Sequence, residues 1–152
     1  MEALERLVAF REIEDLVTRY CHAFDDQDWE ALAELWTEDA AFVAVGVAFE
    51  GRETLLDFLM TCLPAGYGGR HFCARTLIDL ADDGRSATTK TDVLWLPENF
   101  DVTIMARYHD EVVQEDGRWL FRRRVEIPVE YRPGPPPMSD TATEVSSSTM
   151  RT

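Results

Sequence analysis

The chain has 152 residues, enough for one domain with a sizeable core. Its 29 acidic and 15 basic residues give a formal net charge of −14, which argues against partners that are themselves polyanions: no nucleic acid and no anionic membrane surface. No apolar run approaches the ~18 residues of a membrane span, and the early Glu2, Glu5, Glu12 and Glu14 leave no basic lead-in for a signal peptide, so a cytoplasmic protein is expected.

Residues 3 to 25 read as one long amphipathic helix. Ile13, Leu16, Val17, Tyr20 and Phe24 recur at helical spacing and share one face, which Leu4, Leu7 and Val8 extend backwards. That face carries a phenol at Tyr20, and the helix stops in an acidic corner, Asp25-Asp26-Gln27-Asp28. Asp28 suits the N-cap of a second, short helix, Trp29 to Trp36, by accepting from its first free N–H groups. Thr37-Glu38-Asp39 breaks the pattern. Ala40 to Phe49 then reads as a buried strand or hairpin arm, interrupted at Gly46 and closed by Gly51. Arg52 to Leu63 is a third helix, with Leu55, Leu56, Phe58, Leu59 and Leu63 on or beside its buried face. Pro64 to Arg70 holds three glycines and a proline and predicts a loop.

Beyond the loop the period changes to two. Strands are expected over His71–Ala81, Ser86–Leu96, Asp101–Gln114 and Arg118–Tyr131. Turn signals separate them at Asp82-Asp83-Gly84, Pro97-Glu98-Asn99 and Asp116-Gly117. Successive hairpins mean an antiparallel meander with one face buried. From Pro133 the composition turns to proline and then to serine and threonine. The expected division is a domain over 1–132 and an extended or disordered tail over 133–152. The fold class is α+β, with three helices covering one face of a curved sheet. If the sheet curls around the helices, a pocket opens between them. Phe24, Phe42 and Trp95 would form its walls, and Tyr108 faces inward in register with Ile104, Ala106 and Val112.

Several residue types could carry chemistry. Cys21, Cys62 and Cys73 are odd in number and form no CxxC pair, so reduced thiols are expected. Of the histidines, His22 lies two residues from Tyr20 and faces roughly the opposite way, and His109 shares a solvated register with Arg107 and Glu111. His71 differs, because it opens the first long strand directly after the loop. There it would sit near the pocket rim, facing the helix that bears Tyr20 and Asp25. A carboxylate that accepts from one ring nitrogen fixes the tautomer and raises the basicity of the other, so an imidazole can take or give a proton near neutrality. A tyrosine hydroxyl can polarise a carbonyl or a departing hydroxyl. A capping Asp and an unrelated strand His would account for the same two residues. No metal-ligand spacing is present, nor a phosphate-binding loop or nucleophile elbow, so neither metal nor cofactor is expected. In the run Arg122-Arg123-Arg124, strict alternation leaves a solvated stripe. It directs Arg123, with Phe121, Val125 and Ile127, toward a pocket or an interface.

The segments TRYCHAFDDQDWEALAELWTEDAAF, FEGRETLLDFL, GRHFCARTLIDL and YHDEVVQEDGRWLFRRR resemble the SnoaL-like branch of the nuclear-transport-factor-2-like superfamily, over roughly residues 10 to 131. The resemblance implies a cone-shaped α+β barrel: three N-terminal helices in a strongly curved, mixed but mainly antiparallel sheet around an apolar cavity. Within the superfamily the chain is most similar to dehydratases. Asp25 and His71 stand where scytalone dehydratases carry their Asp and His, while the accompanying tyrosine is Phe24. In bile-acid dehydratases the tyrosine comes one turn earlier, at the place of Tyr20. The resemblance thus implies His71, Asp25 and Tyr20 as catalytic residues, with Phe24, Phe42, Trp95 and Tyr108 binding substrate. The second histidine of scytalone dehydratases has no counterpart in residues 72 to 108, and their second tyrosine falls near Ala44. The implied activity is that of a cofactor-independent lyase or isomerase on a small apolar cyclic hydroxy-carbonyl compound. Polyketide-type cyclisation in the same pocket is one rival, and a non-catalytic subunit of the ring-hydroxylating-oxygenase small-subunit type is another. A homodimer or homotrimer is the expected assembly.

Overall fold

A computed structural model describes residues 2–63, 68–98 and 104–129. Residues 64–67 of the expected Pro64–Arg70 loop, the turn and strand start between Asn99 and 103, the strand end at Tyr131 and the tail 133–152 lie outside the described residues, while Gly69 and Arg70 belong to the strand that follows rather than to the loop.

Helix α1 (Ala3–Asp25) begins where the Glu2 N–H donates to the Glu5 carboxylate at 2.9 Å. It ends where Gln27 takes a positive φ of 57°. Its apolar stripe from Ile13 to Phe24 is buried, but Leu4 and Leu7, which continue the stripe in sequence, are 72% and 63% exposed. Asp28 caps α2 (Trp29–Ala33), accepting from the Ala31 N–H at 3.0 Å. That helix is shorter than its apolar pattern predicts. Trp36 belongs instead to strand β1 (Trp36–Ala44), and Thr37–Asp39 continue the strand rather than break it. The cause is tertiary: the Phe121 N–H donates to the Leu35 carbonyl at 2.8 Å, and Trp36 pairs with Phe121. Sheet hydrogen bonding outweighs a weak helical preference.

A tight turn at Val45-Gly46 leads into β2 (Val47–Glu50), then α3 (Arg52–Thr61). The long strands follow: β3 (Gly69–Leu80), β4 (Ser86–Pro97), β5 (Ile104–Glu115) and β6 (Arg118–Pro128). With β1 and β2 they form one open six-stranded sheet in the order β2-β1-β6-β5-β4-β3, antiparallel except where β1 runs parallel to β6. Helix α1 lies along β3 and reaches β6, and α3 packs on β1 and β2. Between helices and sheet sits an aromatic core of Tyr20, Trp36, Phe42 and Phe121. Among the described residues no helix is long and apolar enough to cross a membrane.

One irregularity decides what faces the core. The ladder between β5 and β6 pairs Glu111 with Arg123 and then Val112 with Phe121, so Arg122 is an extra residue in β6. Such a bulge resets the in–out alternation. Phe121 and Arg124 therefore both point inward and are fully buried, while Arg122 is exposed and Arg123 half-buried. The expectation of a solvated Arg124 is corrected on this ground, and Arg123 does not reach the cavity wall.

Candidate active site

The end of α1 meets the start of β3. Asp25 occupies the last turn of the helix, and His71 follows directly on Gly69 and Arg70 at the beginning of the strand. Gly69 is required there, because a Cβ would come within 2.4 Å of the Trp95 indole. The Asp25 carboxylate takes two bonds from one residue: the His71 backbone N–H donates to Oδ2 at 2.7 Å, and His71 Nδ1 lies 2.6 Å from Oδ1. Both side chains are almost sealed from solvent, at 5% and 6% exposure. A carboxylate can only accept, which assigns the ring proton to Nδ1 and leaves the lone pair on Nε2. Nε2 in turn accepts from the Tyr108 hydroxyl at 3.3 Å. At the surface Arg70 donates to the Asp25 carbonyl at 3.0 Å and pairs with Asp26 at 3.3 Å, which ties the same corner from outside.

Nε2 opens on a cavity of about 180 Å³ between α1, α3 and the sheet. Phe24, Phe42, Phe58, Val93 and Trp95 give it apolar walls, and its polar groups come from Tyr20, Tyr108, His71 and Glu126. Wider hollows of 620 and 490 Å³ are open surface depressions that hold none of these residues. All seven residues expected at the site thus converge: Phe24 sets its ring edge-on to His71 at 5.3 Å, and Tyr20 does the same at 5.9 Å. The hydrogen bond to the imidazole is made by Tyr108 rather than Tyr20. His22 is exposed on the far side of α1, and His109 faces away from the cavity.

Behind the two tyrosines lies a feature that strict alternation conceals. The Arg124 guanidinium donates to Asp110 through Nε at 2.7 Å and Nη2 at 2.8 Å, with both side chains fully buried. Thr89 adds a third bond to Asp110 at 3.0 Å. The cation stacks 4.1 Å from the Tyr20 ring centroid and 4.2 Å from those of Tyr108 and Phe121. Burial opposes the Arg124 charge, but the Asp110 carboxylate and the two phenols more than restore it, so its pKa moves up. Burial likewise pushes the Tyr20 and Tyr108 phenols above their ordinary values, with Arg124 pulling the other way. Both therefore remain protonated donors. Desolvation also raises Glu126, against the pull of His71 and Arg124. A sequence signal for this pair did exist: Asp110 falls in the inward register of β5, between Tyr108 and Val112, where a carboxylate calls for a buried cation.

The arrangement can move a proton. Nε2 is a base oriented by a carboxylate, it faces an apolar chamber, and phenol donors sit beside it. Among the described residues no cluster of His, Cys, Asp and Glu suits a metal ion.

Comparison with known proteins agrees with this fold. The SnoaL-like domain model matches residues 5–125. No curated protein matches the chain significantly. Among solved structures, a variant of a Mycobacterium tuberculosis protein of unknown function superposes with a TM-score of 0.76 at 24% identity, over 86% of this chain and 78% of that one. A protein from Novosphingobium aromaticivorans, provisionally described as a scytalone dehydratase, gives 0.72 at 25% identity, over 85% and 89%. A type 2 hexachlorocyclohexane dehydrochlorinase gives 0.73 at 24% identity, over 90% and 99%. The chain belongs to the SnoaL-like domain family of the nuclear-transport-factor-2-like superfamily.

Proposed function

We propose that this SnoaL-like chain is a cofactor-independent lyase or isomerase that works by acid–base catalysis on a small, apolar, cyclic hydroxy-carbonyl compound. The observation that carries the reading is the 2.6 Å contact between Asp25 and His71 Nδ1, with Nε2 turned to the cavity. Nε2 removes a proton alpha to the carbonyl, and Asp25 stabilises the imidazolium that forms. The same proton then passes to the departing β-hydroxyl, so that the substrate loses one molecule of water. Tyr20, kept protonated by burial, donates to the carbonyl oxygen as it gains enolate charge, and once Nε2 has taken the proton and lost its lone pair the Tyr108 hydroxyl turns from it to the same oxygen.

The similarity to a protein described as a scytalone dehydratase supports elimination of water over the other chemistries. Cavity size supports a substrate of one or two small rings: 180 Å³ is little more than the roughly 150 Å³ that accommodates benzene. A binding subunit has no use for an oriented base, and the buried dyad counts against that alternative. Cyclisation without water loss would conserve mass. Assembly as a homodimer or homotrimer is part of the proposal, supported by the exposed apolar side chains of Phe72, Met105, Ile127 and Val129.

The test is a panel of cyclic β-hydroxy ketones, beginning with 3-hydroxycyclohexanone. Elimination is followed by enone absorbance and product mass, and alpha-proton exchange by deuterium uptake from D2O. His71→Ala and Asp25→Asn should each slow a substrate found in this way by about 100- to 10,000-fold while the fold is retained. Full turnover by a folded His71→Ala variant would sink the assignment.

A further inference from the structure

Two polar side-chain pairs meet side by side between α1 and β3. Cys21 and Asp25 are four residues apart on the helix and share a face, and His71 and Cys73 are two apart on the strand and share a face. The Asp25–His71 contact belongs to the acid–base site. The other contact brings Cys21 Sγ to 3.0 Å from Cys73 Sγ, with both thiols free. Proton transfer at His71 gives this pair no task. Two sulfurs so close, on facing elements, need to move only on the order of 1 Å to reach a bonding distance of about 2.05 Å.

We propose that Cys21 and Cys73 are a reversible disulfide site whose oxidant is a small disulfide of the glutathione class. Cys73 is half-buried and Cys21 buried, so the oxidant enters at Cys73. The contact with Cys73 and burial both push the Cys21 thiol up, which favours the same order. The Cys73 thiolate attacks one sulfur of oxidised glutathione and releases the first glutathione thiolate. Cys21 gives up its proton and attacks the Cys73 sulfur, and the second glutathione leaves as thiolate. Two protein thiols and one glutathione disulfide become one protein disulfide and two glutathione thiols. The new bond joins, one helical turn from Asp25, the two elements that supply the dyad.

Cys62, exposed at the end of α3, is a built-in control. The full chain is incubated with excess oxidised glutathione until Cys62 has reacted, acid-quenched, unfolded and alkylated, and its peptides are weighed. The expected result is a Cys21–Cys73 linked peptide and no alkylation at either residue. Closing a loop of 52 residues should raise the melting midpoint by roughly 5–15 °C. The rise should be reversed by dithiothreitol and absent in Cys21→Ser. Alkylated Cys21 and Cys73 in a sample whose Cys62 has reacted would overturn the proposal, as would Cys73 trapped only as a mixed disulfide with glutathione.

Discussion

Asp110→Ala isolates the buried charge pair behind the site. The substitution deletes three bonds at once: from Arg124 Nε at 2.7 Å, from Arg124 Nη2 at 2.8 Å and from Thr89 at 3.0 Å. It leaves a guanidinium of 0% exposure with no carboxylate. Removing one partner of a buried pair costs about 3–5 kcal/mol, because the remaining charge is uncompensated. The three aromatic rings stacked within 4.2 Å of Arg124 survive the substitution and continue to attract it. Cation–π contacts at desolvated sites are worth about 2 kcal/mol, so the loss should lie toward the lower end, about 3 kcal/mol. That is a large share of the roughly 5–15 kcal/mol that holds a domain together, and it leaves the variant folded but weakened. Urea denaturation followed by tryptophan fluorescence and by far-ultraviolet circular dichroism measures it. The matching double variant, Asp110→Leu with Arg124→Met, removes both charges and should recover most of the loss. A loss below about 1 kcal/mol for Asp110→Ala, or a double variant weaker than both single ones, would refute the reasoning.

Two further outcomes follow from the same geometry. Tyr108→Phe keeps the ring against Arg124 but deletes the hydroxyl 3.3 Å from His71 Nε2. Turnover should fall by about 100-fold with little change in KM, and a folded variant within about twofold of the parent would remove the Tyr108 hydroxyl from the mechanism. Burial raises Glu126, so the folded chain holds that proton more tightly than the unfolded chain. Its contribution to stability is complete below the ordinary glutamate value and is lost as pH rises through the raised one. Glutamine does not titrate, so Glu126→Gln should gain stability over the parent across that window. Thermal melts from about pH 4 to 8 would show it as diverging curves, whereas parallel curves would mean that Glu126 is not desolvated.

Much of the fold was legible because it is locally encoded. The 3.6 period of α1, the Asp28 cap and the period-two strands with their turn residues each lie within a short window. What escaped that reading depends on partners far along the chain. The pattern from Trp29 to Trp36 is helical on its own terms. It is cut short because Leu35 and Trp36 bond to Phe121, some 85 residues away, in the parallel pairing of β1 with β6. The exposure of Leu4 and Leu7 has a similar origin, since an apolar stripe does not say how far the surface it packs on extends.

The site divides in the same way. Asp25 and His71 each mark the end of an element, one where α1 stops and one where β3 starts, but position alone also fitted a capping Asp and an unrelated strand His, and it was the resemblance to scytalone dehydratases that singled out the pair. Tyr108 was placed correctly in the inward register, but sequence could not say that its hydroxyl, and not that of Tyr20, would meet His71. Arg124 was misplaced because a single bulged residue inverts the count along β6. A buried ion pair is weak grounds for stability, since apolar side chains of similar volume often serve as well. What Arg124 provides and a methionine would not is a positive charge 4.1 and 4.2 Å from two phenol rings that border the cavity. That charge opposes the burial that makes both hydroxyls poor acids. Asp110 holds the guanidinium in place, so the pair fits better as the electrostatic floor of the site than as a structural clamp.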